Sequence, residues 1–203
     1  GLAKTKRPYA DDVWQRVESA GDVLDVGSGH VWSGLALAGA LPEATIDGAD
    51  ADPASLAAAE RNAMDAGLAG RIRFHLAAAE ELTLAQRYDL ITALECVHDM
   101  AQPVAALRRM RELLAPGGIV LIVDELMGDT LGENLSPLGH TNYNWSVLHC
   151  LPQARLDPDS AATGCAMGPA RLRDYAMAAG FARCDVLPID HAIWRFYRLS
   201  AST

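Results

Sequence analysis

The stretch VLDVGSGHVWSGLALA, from Val23 to Ala38, joins a strand pattern, a glycine loop and a helix pattern without interruption. An apolar run leads to Asp25, Gly27 and Gly29 follow with one residue between them, and an alanine- and leucine-rich helix begins near Val31. Glycine is used where a backbone must turn sharply or let a ligand come close. The stretch therefore predicts a strand, a ligand-binding loop and a helix in succession.

The remainder of the chain continues this alternation of strands and helices. Further strands are predicted at 44–49, 71–76, 88–94 and 119–123, with helices starting near Asp52, Pro103 and Pro169. Strict alternation is typical of a parallel sheet covered by helices on both faces. Two closing strands, 182–188 and 192–199, are separated by three residues and predict an antiparallel hairpin. We therefore expect a three-layer, Rossmann-like, doubly wound α/β fold that is mostly parallel and ends in an antiparallel hairpin.

Residues 126–168 interrupt the alternation. They are rich in glycine, asparagine and proline and predict only one short helix, near 143–150. A segment of this length without periodic structure usually serves as a lid or a binding loop. We expect one domain over residues 1–203 with 126–168 as an inserted lid or substrate segment, and we allow for an N-terminal domain outside this chain.

Composition narrows the classes of partner. The net charge is −9 and the basic residues are dispersed, which disfavours a nucleic-acid partner because phosphate binding needs a basic surface. No apolar run is long enough to span a membrane, so no membrane association is expected. The four cysteines lie far apart and lack metal-ligand spacing, so reduced thiols and a cytoplasmic location are expected. His140 and His149 with Asp124 also lack the usual ligand spacing, so no bound metal is expected.

The spacing of the loop glycines discriminates between nucleotide ligands. A dinucleotide-binding loop has a third glycine three residues after the second, and here that position is Trp32. Its bulky side chain disfavours a dehydrogenase.

Several motifs in order resemble those of the class I S-adenosylmethionine-dependent methyltransferases. LDVGSG, with the spacing Asp25-x-Gly27-x-Gly29, resembles their first motif, and GADADP from Gly48 to Pro53 resembles their second. YDLITALE and LLAPGGIVLIVDE resemble their fourth and fifth strands, so that the resemblance extends from Val23 to about Leu199. It implies the seven-stranded methyltransferase fold, with S-adenosyl-L-methionine as cofactor and S-adenosyl-L-homocysteine as product.

The resemblance also implies a set of cofactor-binding residues. Asp50 would accept hydrogen bonds from both ribose hydroxyls, because a carboxylate offers two acceptor oxygens, and Asp25 would lie near the ammonium end and help hold the loop. The chain departs from the family at Val31, where a third glycine is common, and at Ala78, where an acid often meets the adenine; the backbone there, or Glu80, would replace that acid. The full set is Asp25, Gly27, Ser28, Gly29, Asp50, Ala51, Ala78, Ala79 and Glu95.

Catalysis is predicted at LECVHDM, Leu94 to Met100, which follows the fourth strand. The pair His98 and Asp99 resembles the His-Asp pair of small-molecule O-methyltransferases, in which the histidine is the general base. A near-neutral reference pKa suits this role, and Asp99 would orient the imidazole. The alternative is a half-buried histidine with a structural hydrogen bond.

Aromatic residues supply candidates for the acceptor site. Tyr143, Trp145 and His149 of the lid could wall a planar acceptor, since residues four apart share a helix face. Alternatively, Trp145 and Leu148 fill the core. Aromatic residues of the last strand predict core packing or the surface of a homodimer.

Together these features predict methylation of a small organic acceptor, with oxygen favoured as the methylated atom. The alternative is a cofactor-binding but catalytically degenerate domain with a regulatory or assembly role, which Val31 and Ala78 keep open.

Overall fold

A computed structural model describes residues 11–19 and 21–201 and contains a seven-stranded sheet in the order β3-β2-β1-β4-β5-β7-β6. The strands are β1 Asp22–Val26, β2 Thr45–Asp50, β3 Ile72–Leu76, β4 Tyr88–Leu94, β5 Leu114–Glu125, β6 Arg183–Val186 and β7 Trp194–Ser200. The first five pair in parallel, whereas β7 is antiparallel to both β5 and β6. The predicted doubly wound fold with a closing hairpin is confirmed.

Helices cover both faces of the sheet. They are α1 Asp11–Glu18, α2 Trp32–Ala40, α3 Pro53–Asp65, α4 Pro103–Leu113, α5 Pro137–Trp145, α6 Leu151–Ala154 and α7 Pro169–Ala178. Successive strand residues point to opposite faces, so Val23 packs with α1 while Leu24 packs with α4 and α7. Helices α2 and α3 pack around Ile46 on the same side as α1. The result is the predicted three-layer arrangement.

The parallel register aligns the carboxyl ends of the central strands. Val26 of β1 lies beside Ala49 of β2 and Ala93 of β4, and Leu94 of β4 lies beside Val123 of β5. The chain builds outward in opposite directions from β1, so a crevice opens where the strand order reverses. Ligands of open α/β sheets bind in such a crevice.

The lid is more regular than its sequence predicts. Ser136 caps α5 by accepting a hydrogen bond from the Gly139 amide at 3.0 Å, and a π-helical turn, Ser146–Cys150, connects α5 to α6. The predicted short helix near 143–150 is present but longer, because helical structure runs without a break from 137 to 154. Weak apolar periodicity hid its full length, because it exposes apolar side chains to solvent.

One expectation for the lid is corrected by burial. Trp145 and Leu148 do not fill the core, since their exposures are 61% and 80%. In the last strand, by contrast, Phe196 and Tyr197 are core residues. Within the described part of the chain, no helix combines the length and apolar character that a membrane span requires.

Candidate active site

The loop after β1 approaches the end of β4 closely at Gly27. This residue has φ +64°, and a Cβ placed on it would lie 2.7 Å from Cβ and 2.8 Å from Sγ of Cys96. Both the left-handed backbone and the close approach require glycine here. Gly29 has φ +51°, yet a Cβ on it would meet nothing within 4 Å.

We expect Gly27→Ala to destabilise the fold more than Gly29→Ala. Both variants carry a left-handed alanine at a cost of about 1–2 kcal/mol. Only Gly27→Ala adds the collision with Cys96, for which overpacking costs roughly a further 1–3 kcal/mol. Urea unfolding of the two variants measures the difference. Equal losses would contradict the close approach between the loop and Cys96.

Asp50 ties the end of β2 to the glycine loop. Its Oδ2 accepts a hydrogen bond from the Gly29 amide at 2.8 Å, and its Oδ1 accepts one from the Asp52 amide at 2.9 Å. Helix α3 has its own cap, because the Asp52 carboxylate accepts from the Ala54 and Ser55 amides at 3.2 and 2.8 Å. Asp50 is therefore not needed as a cap, and each of its oxygens keeps a further acceptor position.

Asp25 supports the loop from below. It is 1% exposed, accepts a hydrogen bond from the Thr92 hydroxyl at 2.6 Å and another from the Ser33 hydroxyl. These contacts join β1 to β4 and to the first turn of α2. The Asp25 carboxylate thus holds together the two elements that flank the glycine loop, β4 and α2, and it is too buried to line the crevice.

Val31 occupies a left-handed backbone conformation, with φ +65°, and its side chain is fully buried. A β-branched residue with positive φ is an outlier that surrounding packing must enforce. The burial of Val31 with Ile46 and Ile72 supplies that packing. Val31 therefore adopts the left-handed backbone conformation that a glycine would adopt at this position.

A cavity of about 390 Å³ opens beside this loop at the carboxyl ends of the strands. Among its lining residues are the predicted Gly27, Asp50, Ala51, Ala78, Ala79 and Asp99, together with Glu80, Cys96 and Met100. Its size falls within the usual range for small-molecule pockets, about 300–1,000 Å³. Ser28 lies in the adjoining loop, where its buried Oγ has no hydrogen-bond partner among residues 11–19 and 21–201.

His98 lies under the lid beside Asp99, and it is not among the residues that line this cavity. It is 3% exposed; its Nδ1 lies 2.7 Å from Asp124 Oδ1 and its Nε2 lies 3.4 Å from Asp99 Oδ1. The lid covers it, since the Gly164 amide donates to the His98 carbonyl at 3.1 Å. Asp124, at the end of β5, thus accepts the hydrogen bond that the imidazole Nδ1 donates.

The charges around His98 favour its protonated form. Burial by itself lowers the pKa of His98, but the Asp124 and Asp99 carboxylates outweigh it and raise that pKa to about 12. Burial by itself raises the pKa of Asp99, yet the interaction with His98 holds that pKa below its usual value. Burial and the Asp124 carboxylate raise the pKa of Glu125 to about 9. These interactions favour the protonated imidazole of His98 and the protonated carboxyl group of Glu125.

The remaining predicted residues lie outside the cavity lining. Glu95 is exposed and has φ +57°, immediately after β4. Tyr143 accepts a hydrogen bond from the Asn134 amide group at 3.2 Å. The rings of Trp145 and His149 meet edge to face, 6.5 Å between centroids, on the exposed side of the lid.

Sequence reasoning missed the groups that surround His98 from other segments. Asp124 and Glu125 end β5 next to β4, and Cys150 comes from the lid. The β5 acids were visible as a polar ending to an apolar strand beside the predicted catalytic strand. No local signal identifies Cys150.

Comparison with curated proteins finds partial matches among methyltransferases. A ubiquinone biosynthesis O-methyltransferase of Cereibacter sphaeroides is 39% identical over 79 residues, which are 38% of this chain and 31% of that protein. Methyltransferase GfsG of Streptomyces halstedii is 33% identical over 135 residues, 65% of this chain and 48% of that protein. Each match thus spans less than half of the relative's length.

Solved structures share the fold across nearly the whole chain. An O-methyltransferase family protein from Burkholderia thailandensis superposes with a TM-score of 0.70 at 19% identity, covering 98% of this chain and 56% of that one. An O-methyltransferase from neocarzinostatin biosynthesis, in complex with S-adenosyl-L-homocysteine and 1,4-dihydroxy-2-naphthoic acid, gives a TM-score of 0.66 at 22% identity, covering 99% and 56%.

A family profile described as a methyltransferase domain matches residues 18–158, which include the glycine loop, Asp50 and His98. The match covers more than half of the chain and agrees with the strand order and with the crevice between β1 and β4. The chain belongs to the class I S-adenosylmethionine-dependent methyltransferase family.

Proposed function

We propose that this chain binds S-adenosyl-L-methionine and transfers its methyl group to a small organic acceptor at oxygen. The observation that carries the proposal is the hydrogen bond of Asp50 to Gly29, which places a carboxylate and a glycine loop on one cavity that also reaches Asp99. Family membership supports the cofactor, and the names of the partial relatives support oxygen as the methylated atom.

The residues around the cavity fit the cofactor. Asp50 would accept hydrogen bonds from the ribose hydroxyls with its free acceptor positions. The backbone of Gly27, Ser28 and Gly29 would face the amino-acid part of the cofactor. Glu80 lines the cavity. Its carboxylate would take the place of the adenine-binding acid that the family often has at the position of Ala78. When bound, the cofactor supplies an electrophilic methyl group on a sulfonium.

His98 is the proposed general base. Asp124 holds Nδ1, so Nε2 is the nitrogen available to an acceptor hydroxyl, and Asp99 lies next to it. Because the neighbouring acids favour the protonated imidazole, His98 must lose a proton before it can accept one. The sulfonium of a cofactor bound nearby would lower the pKa of His98 by like-charge repulsion. After proton uptake, the two carboxylates stabilise the imidazolium, which is electrostatic stabilisation arranged in advance.

The acceptor must reach His98 past the lid. His98 is nearly inaccessible because residues 159–164 lie over the turn that follows β4, where the Ala161 amide donates to the Ala101 carbonyl at 2.9 Å. We infer that the lid moves aside to admit the acceptor. The predicted contacts of Tyr143, Trp145 and His149 with the acceptor stay a prediction, as does homodimerisation.

Cofactor binding is tested by heating the protein with S-adenosyl-L-homocysteine. At a ligand concentration 100 times Kd, binding stabilises the folded state by about 2.7 kcal/mol. For a chain of this size, this raises Tm by roughly 5–10 °C. No shift at millimolar ligand would overturn the proposed cofactor site.

Turnover separates the enzyme from a degenerate module. We expect a methylated product, detected by mass spectrometry, with S-adenosyl-L-methionine and a set of small phenols that includes 1,4-dihydroxy-2-naphthoic acid, the ligand of the neocarzinostatin enzyme. Cofactor binding with no turnover of phenols, catechols or amines would instead favour the regulatory or assembly role.

A further inference from the structure

We propose that His98, Asp99 and Cys150 form an inhibitory site for a divalent cation of the zinc class. One donor atom from each of these residues, the imidazole nitrogen, a carboxylate oxygen and Sγ, lies within 4.8 Å of the other two. His98 and Cys150 are buried and Asp99 is partly buried. Imidazole, carboxylate and thiolate are the ligand types that Zn²⁺ binds in proteins.

The distance between Nε2 of His98 and Oδ1 of Asp99 supports metal binding better than a direct hydrogen bond. It is 3.4 Å, beyond the usual range for N–H···O bonds of about 2.7–3.2 Å. Two ligands at about 2.0–2.2 Å from a tetrahedral Zn²⁺ are separated by roughly 3.4 Å. Asp99 Oδ1 is also buried without a hydrogen-bond partner among the described residues. The two donors are thus spaced like one edge of a zinc tetrahedron.

The other nitrogen of His98 is already arranged as it is in zinc sites. Its Nδ1 is hydrogen-bonded to Asp124 Oδ1 at 2.7 Å, and Asp124 is fully buried. Zinc-binding histidines commonly donate their second ring N–H to a carboxylate, which fixes the ring and strengthens the ligand. A second group, His98 with Asp124 and Glu125, could also hold an ion, but that ion would have to break this hydrogen bond. The site on Nε2 is therefore favoured.

Ligand chemistry selects the ion. A thiolate and an imidazole favour zinc-class ions over Mg²⁺ and Ca²⁺, which prefer oxygen ligands. On binding, the Cys150 thiol and His98 Nε2 release their protons to solvent, and the ion takes the two lone pairs. Thiolate, carboxylate and neutral imidazole then balance the 2+ charge. A second lid cysteine, Cys165, is not assigned as a ligand because its thiol donates a hydrogen bond to the Asn142 carbonyl at 3.2 Å. Water would therefore take the fourth coordination position of the ion.

The consequence rests on the proposed function. An ion on Nε2 removes the lone pair that would accept the acceptor's proton, and it joins the lid, through Cys150, to the turn after β4. Zinc would therefore inhibit methyl transfer while leaving the Asp50 side of the cavity accessible. Binding of S-adenosyl-L-homocysteine should survive in the metal-loaded protein.

Cobalt(II) titration of the purified chain, reduced with a phosphine rather than a thiol, tests the site. We expect one Co²⁺ per chain, a sulfur-to-cobalt charge-transfer band, visible bands of tetrahedral intensity, and displacement by Zn²⁺. Cys150→Ser should lose the charge-transfer band, whereas the control Cys184→Ser, which changes a buried cysteine in β6, should keep it. An absent band, or one equally strong in Cys150→Ser, would overturn the proposal.

Two further variants keep the test decisive if Cys150→Ser does not fold. Asp99→Asn removes a ligand at a partly exposed position, and Asp124→Asn alters the support of the imidazole, a change that typically weakens metal binding about 10–100-fold. Unchanged Co²⁺ affinity in both variants would also overturn the site. Thermal shifts with S-adenosyl-L-homocysteine in the same samples report on the cofactor site separately, so the two proposals fail independently.

Discussion

Asp50→Ala is expected to remove measurable binding of S-adenosyl-L-homocysteine. The variant loses the acceptor for two ribose hydroxyls, and hydrogen bonds to a charged group contribute about 1.5–3 kcal/mol each. A loss of about 3 kcal/mol or more corresponds to at least a roughly 100-fold increase in Kd. The Gly29 amide also loses its partner, which loosens the loop. Isothermal titration calorimetry measures the change.

The matched control for this prediction is Asp52→Ala, which alters the neighbouring acid. It removes the cap of α3, which should cost about 0.5–2 kcal/mol of folding stability. Its Kd for S-adenosyl-L-homocysteine should stay close to that of the unaltered chain. Asp50→Asn, which keeps one acceptor oxygen, should fall between the two. Equal affinity in Asp50→Ala and Asp52→Ala would rule out the ribose role of Asp50.

His98→Gln is expected to reduce methyl transfer to a phenolic acceptor about 10²–10⁴-fold, the usual contribution of a positioned general base. The amide can hydrogen-bond to Asp124 but cannot take up the acceptor's proton. S-adenosyl-L-homocysteine should still bind, since His98 is absent from the cavity lining around Asp50. Single-turnover rates with saturating cofactor measure the chemical step directly.

An exposed lid residue, His140, provides the control for the base. His140→Gln makes the same chemical change and should leave the rate unchanged. If His98→Gln turned over as fast as His140→Gln while binding the cofactor normally, proton uptake by His98 would be excluded. Loss of cofactor binding in His98→Gln would instead identify a structural role, which is the alternative that the sequence left open.

Local sequence patterns predicted the frame of the site well. Alternating strand and helix patterns placed the ends of β1 and β2 together, and the spacing of Gly27 and Gly29 identified the loop. Asp50 was predicted at the tip of its strand, and the structure brings it to 2.8 Å from the Gly29 amide. The lid was predicted less well, because its helices expose apolar residues such as Leu148.

The sequence by itself determined the sheet, the glycine loop and the two acids at the ends of β1 and β2, because strand periodicity, turn chemistry and chain order are local properties. Only the tertiary structure decided the state of His98, whose partners Asp124 and Cys150 come from β5 and the lid. Charge interactions and ligand geometry depend on distance through space, and folding brings these segments together across separations that no local pattern encodes. The acids that folding brings beside His98 thereby raise the pKa of a histidine whose reference value is near neutral.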